Sequence, residues 1–107
     1  MRRAAKVDDN QSEIVSALRS IGATVAITSA VGDGFPDLVV GFNGVNFLLE
    51  IKDGKKAPSA QKLTPDQKIF FFGDPSNEKS SPWAGSATVV NSIEAAFAAI
   101  GFGLLPV

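Results

Sequence analysis

Asp37, Glu50 and Lys52 are the residues of this 107-residue chain whose types and spacing could do chemistry together. Asp37 opens the run Asp37-Leu38-Val39-Val40-Gly41-Phe42, while Glu50 and Lys52 close the run from Val45 to Lys52, with Asn43-Gly44 between the two. Asn-Gly between β-type runs is a strong short-range signal for an antiparallel hairpin with a two-residue loop. Such a loop sets Phe42 against Val45, and stepping outward one residue on each strand sets Asp37 against Glu50. Lys52, two residues beyond Glu50, projects from the same strand face. Carboxylates directly across a strand pair repel, and a divalent cation held by oxygen ligands would resolve the conflict. The chemistry expected is hydrolysis of a phosphate ester. Asp37, Glu50 and the main-chain carbonyl of Ile51 would hold the metal, which activates a water, and Lys52 would orient that water or stabilise developing charge.

Composition narrows the choice. There is no Cys, His or Tyr, so thiolate, imidazole and phenolate mechanisms are excluded, as are Cys/His zinc sites. Carboxylates are then the strong metal ligands available, which favours magnesium or manganese. A net charge of −1 argues against a protein that binds nucleic acid by bulk electrostatics, so charge has to be judged locally. The length suits one domain spanning 1–107. The basic start Met1-Arg2-Arg3-Ala4-Ala5-Lys6 runs into acidic residues without an apolar stretch, and no apolar run approaches ~18 residues, so the expectation is a soluble, cytoplasmic protein with no membrane partner.

The elements that must position the trio follow from periodicity and punctuation. Ile14, Val15, Leu18 and Ile21 predict a helix over 10–21, with Asn10 as cap and Gly22 as terminator. Ala23 to Ala30 predicts a strand, followed by the turn Gly32-Asp33-Gly34 and then the hairpin. Asp53 to Leu63 is expected to be a loop, and Thr64-Pro65-Asp66-Gln67 to open a second helix through a capping box. Phe70, Phe71 and Phe72 are assigned to the core, Gly73 to Gly85 to a polar connection, and Ser86 to Val90 to a last strand. Asn91-Ser92 caps a helix over Ile93 to Ile100. The order is αββ(β)αβα, an α/β fold with a small mixed sheet flanked by helices.

Pro36-Asp37 followed at a strand's length by Glu50-Ile51-Lys52 resembles the PD-(D/E)xK motif of the restriction-endonuclease-like nucleases. The span from Glu13 to Gln67, with Gly34-Phe35-Pro36-Asp37 and Leu63-Thr64-Pro65-Asp66-Gln67 inside it, is similar to the virus-type replication-repair nuclease family (VRR-NUC). That resemblance implies a restriction-endonuclease-like core and metal-dependent cutting of branched DNA, such as Holliday junctions or flaps, in phage-type replication and repair. It also implies that Glu13 is a further acidic, metal-binding site residue and that Gln67 supports the site from the second helix.

Plainer readings stand beside these. Asn10-x-x-Glu13 is also a capping box, and so is Thr64-x-x-Gln67, so capping and catalysis remain open at Glu13 and Gln67. Lys55, Lys56, Lys62 and Lys68 would form a phosphate-contacting rim, against the alternative of a solvated loop. Trp83 either stacks on a base or packs on the core. The apolar end Phe102-Gly103-Leu104-Leu105-Pro106-Val107 docks on its own domain or on a second subunit, the latter making a homodimer. The rival functions are a non-catalytic DNA-binding or assembly module of the same fold and a sequence-specific, restriction-type nuclease, for which the chain offers little room for a separate recognition element.

Overall fold

Asn43 and Gly44 both take positive φ, 52° and 77°, as a hairpin turn whose twist matches its strands requires. Strands β2 (Leu38–Phe42) and β3 (Val45–Ile51) pair antiparallel across this turn, with Phe42 opposite Val45 and Leu38 opposite Leu49. The expected register therefore holds along the whole ladder. β1 (Thr24–Ile27) joins β2 antiparallel, and β4 (Ala87–Val90) joins β3 in parallel, so the mixed sheet runs β1-β2-β3-β4. The computed structural model describes residues 10–103. The basic N-terminal residues and the tail beyond Gly103 lie outside the described residues.

One face of the sheet carries the core. Leu38 and Val40 of β2, Leu49 and Ile51 of β3 and Val90 of β4 are buried on it. Against them pack Ile14, Val15 and Leu18 of α1 (Gln11–Ser20) and Ala96 of α3 (Ile93–Ala99), with Ile100 beyond it. Each fully buried aliphatic side chain contributes roughly 1.5–3 kcal/mol, so this face accounts for most of what holds the helices to the sheet. α1 ends as its sequence suggests. Gly22 has φ 93°, Gly22 N–H donates to the Arg19 carbonyl and Ala23 N–H donates to that of Leu18, the Schellman pattern. The Ser92 side chain accepts from Ala95 N–H at the start of α3.

The other face is where the functional candidates lie. Leu48, Glu50 and Lys52 alternate away from the core-facing residues of β3, and α2 (Pro65–Phe72) sits over their end of the sheet, because its Gln67 side chain reaches both Glu50 and Lys52. Thr64 caps α2 in a complete capping box with Gln67. Gly34 lets the chain pass under this helix start: its φ is +76°, and a Cβ there would overlap the Asp66 carbonyl. Among the described residues no helix is long and apolar enough to cross a membrane.

Several expectations need correction. The first strand is shorter than 23–30, because Thr28 turns its hydroxyl to the Pro36 carbonyl and Val31 N–H bonds back to Thr28. The connection after β3 contains a 3-10 turn, Pro58–Gln61. The Phe70-Phe71-Phe72 run is not core. No residue of α2 is buried and Phe72 is 70% exposed, because the helix touches the sheet through its polar N-terminus. Asn10 precedes α1 but forms no side-chain cap. Phe102 packs edge-on against Phe97 and Phe42, so this part of the apolar end docks on its own domain.

Candidate active site

The β2–β3 ladder ends at the pair Leu38 and Leu49, and Asp37 and Glu50 are the next residues outward on the two arms. The Asp37 backbone is held by its carbonyl, which accepts from Thr28 N–H at 2.7 Å. Its carboxylate is turned across the pair: Oδ2 accepts from Ile51 N–H at 2.8 Å. Ile51 thus touches Asp37 through its amide, and one oxygen of that carboxylate is fixed by backbone geometry.

Glu50 and Lys52 share their face of β3 and are almost fully enclosed, at 2% and 7% exposure. Charges this deep need partners, and one amide supplies them. Gln67 Nε2 donates to Glu50 Oε2 at 3.0 Å, and Gln67 Oε1 accepts from Lys52 Nζ at 2.8 Å. Lys52 Nζ lies 3.7 Å from the same Glu50 oxygen, as an ion pair. Gln67 Oε1 also accepts from Thr64 N–H at 2.9 Å. Capping and site support therefore coexist in this one side chain. The cap fixes which end of the amide faces the lysine and which faces the carboxylate.

Glu13 is placed elsewhere. It is exposed and lines a cleft of about 440 Å³ with Asn10, Asp53, Lys55 and Glu94. Among the described residues no three acidic side chains converge as a metal-binding group. A three-carboxylate set containing Glu13, Asp37 and Glu50 is not formed. Asn10 makes no capping box with Glu13, because its Nδ2 is drawn inward to the carbonyls of Lys52 (3.1 Å) and Asn91 (3.4 Å). It ties together the carboxyl ends of β3 and β4, directly behind the site lysine. Its Oδ1 is buried and accepts no hydrogen bond among the described residues.

Of the lysines, Lys55, Lys62 and Lys68 are exposed along the β3–α2 connection and the first turns of α2, while Lys56 is half-buried. The loop that carries them is anchored by Asp53, a buried residue whose carboxylate accepts from Lys55 N–H at 2.9 Å. Trp83 lies neither on the core nor alone. It stacks on Phe70 at 5.1 Å and 17°, with Phe35 edge-on to both rings. The sequence did not reveal Asn10 as a clamp or Phe35 and Phe70 as partners of Trp83. The one available signal was the glycine at 34, whose small size marks a close backbone approach between the two arms of the site. The chain matches no family model, no curated protein and no solved structure.

Proposed function

We propose that this chain is a metal-dependent endonuclease that hydrolyses DNA phosphodiester bonds on a restriction-endonuclease-like core, selecting branched DNA such as four-way junctions or flaps. The observation that carries the reading is the Gln67 amide, which bonds to both Glu50 and Lys52 at the end of the sheet where the Asp37 carboxylate accepts from Ile51 N–H. The donor set suits a hard cation in its chemistry: Asp37 and Glu50 bring two carboxylates against the single ammonium of Lys52, which pairs with Glu50, so the trio carries a negative excess of oxygen ligands. Asp37, Glu50 and the Ile51 carbonyl would hold magnesium or manganese. Such an ion activates water and polarises a phosphoryl oxygen.

The remaining work belongs to the chain itself. Gln67 fixes the orientation of Glu50 through Oε2 and presents Lys52 as a charged donor. From there Lys52 orients the attacking water or neutralises charge developing on the phosphate. Asp37 is half-buried where Glu50 is enclosed, so substrate approaches on the Asp37 side. Lys55, Lys62 and Lys68 supply phosphate contacts around that approach, with a smaller share from Lys56. A homodimer would bring two such sites to one junction. The near-complete burial of Glu50 favours a second reading, a non-catalytic DNA-binding module in which the trio is structural.

Digestion of flaps, forks, four-way junctions and linear duplexes with magnesium or manganese separates the two. The wild type is expected to cut a branched substrate, and Asp37→Asn and Glu50→Gln to leave it uncut while remaining folded by circular dichroism. Asparagine is the informative change at 37 because its amide oxygen still accepts from Ile51 N–H, whereas alanine would orphan that donor. Wild-type-like cleavage by either variant overturns the assignment. No cleavage by the wild type on any substrate selects the non-catalytic module.

A further inference from the structure

The aromatic group around Trp83 is detached from the hydrophobic core. None of Phe35, Phe70 or Trp83 belongs to the core cluster or packs against it, and Trp83 is 47% exposed. Its position is nevertheless fixed. Trp83 N–H donates to the Phe70 carbonyl at 2.9 Å, one ring face rests on Phe70, and Gly85 lies so near that a Cβ there would come within 2.8 Å of the indole nitrogen. A large aromatic surface is held in place and left open to solvent, which costs free energy unless something covers it.

Beside it is a cleft of about 480 Å³ lined by Trp83, Phe70, Ile69, Pro82 and Asp33. Its volume is in the range of small-molecule seats. Among the described residues no lysine or arginine lines it, which does not suit a phosphate. Asp33 would repel a phosphate but would accept hydrogen bonds from amino or imino N–H groups, the donors on the edge of guanine or cytosine. An aromatic platform with a carboxylate acceptor at its rim suits a flat heterocycle with donor groups. The cleft lies close along the chain to the candidate active site: Asp33 lines it, and the next residue, Gly34, sits against the backbone of Asp66 and Gln67. Phe35 precedes Asp37 by two residues, and Phe70 follows Gln67 by one helical turn.

We infer that the Trp83–Phe70 stack and the adjoining cleft seat an unpaired nucleobase, with the Asp33 carboxylate accepting from its donor edge. The inference rests on the nucleic-acid reading above and adds what the site selects: a branch or bulge is recognised by the base it leaves unstacked. Stacking on an exposed aromatic is worth roughly five- to a hundredfold in affinity per base, enough to set preference for distorted over regular duplex.

Trp83 is the chain's one tryptophan, so indole emission reports on this seat directly. The full-length protein is titrated, in chelator so that no cutting occurs, with a duplex carrying one bulged guanine and with its fully paired counterpart. The bulged duplex is expected to quench emission saturably and to bind about tenfold more tightly than the paired one. With labelled DNA, Trp83→Ala should erase that difference while leaving salt-dependent binding to the paired duplex, and Trp83→Phe should keep most of it. Asp33→Asn should narrow the preference and strengthen binding to paired DNA. Equal binding of bulged and paired duplex by the wild type, or a preference that survives in Trp83→Ala, overturns the inference. So does an emission change that follows protein concentration without DNA, which would place a second copy in the seat. Failure of the nuclease reading appears only in the cleavage assay, and failure of this one only in base-dependent binding.

Discussion

Two helices of this chain begin with a capping-box pattern, Asn10-x-x-Glu13 before α1 and Thr64-x-x-Gln67 before α2, and only the second closes. At α2 the Thr64 hydroxyl accepts from Gln67 N–H and the Gln67 side chain returns to Thr64 N–H. At α1 the Asn10 backbone is already near helical, with φ −86° and ψ 0°, and its side chain is committed to two strand-end carbonyls. The difference is one of burial. Thr64 is exposed, and water competes for everything except the local cap, whereas Asn10 is buried among strand ends whose carbonyls need donors. A capping pattern states what a side chain can do locally. Buried backbone groups nearby decide what it does.

The largest effect expected is at Gln67, where cap and site meet. Gln67→Ala removes partners from Thr64 N–H, Lys52 and Glu50 at once, two of them buried charges, and should cost about 3 kcal/mol. Thr64→Ala removes the cap alone and should cost about 1 kcal/mol. Urea denaturation midpoints of the two variants measure the gap. If Gln67→Ala costs no more than Thr64→Ala, the bonds to Glu50 and Lys52 contribute nothing and the amide is only a cap.

Asn10 is the matching probe at the other helix. Aspartate is as good a cap as asparagine, so a capping role predicts little change for Asn10→Asp. In the structure the substitution replaces the Nδ2 donor with an oxygen facing the carbonyls of Lys52 and Asn91. Unpaired acceptors and a buried charge should then cost about 2 kcal/mol or more. Asn10→Ala should be milder, since it also removes the buried Oδ1 that accepts no hydrogen bond among the described residues. An Asp variant as stable as the wild type would restore the capping reading.

Much of the site was legible because it depends on local rules. Asn43-Gly44 sets the turn, the turn sets the register from Phe42 and Val45 out to Leu38 and Leu49, and period-two alternation brings Lys52 beside Glu50. The second capping box and the order of elements are local for the same reason. What was not legible depends on which groups the packed chain buries. The three phenylalanines of α2 look apolar enough for a core, yet their helix meets the sheet through Gln67 and the Gly34 turn, which leaves the rings at the edge. Asn10 finds partners 42 and 81 residues away in sequence, and Trp83 finds them 13 and 48 residues away, through contacts that no periodicity announces.

Glu13 is expected to give the smallest effect, and it decides what the first helix start is for. If its side chain closed a box with Asn10, Glu13→Ala would cost about 1 kcal/mol. With no box formed and the residue exposed, the remaining loss is a carboxylate in the first turn of a helix, worth about 0.5 kcal/mol and largely returned by the higher helix propensity of alanine. Melting temperature should therefore stay within about a degree or two of the wild type. Magnesium separates structure from chemistry in the same samples. A ligand that binds only the folded chain raises its stability by mass action, so an ion held by Asp37 and Glu50 should stabilise Glu13→Ala and the wild type alike, and Asp37→Asn much less. Cleavage by Glu13→Ala should persist. If cleavage falls to background and the magnesium response disappears while the metal-free melt is unchanged, then Glu13 reaches the metal from α1 when the ion is bound, and the cleft it lines belongs to the active site.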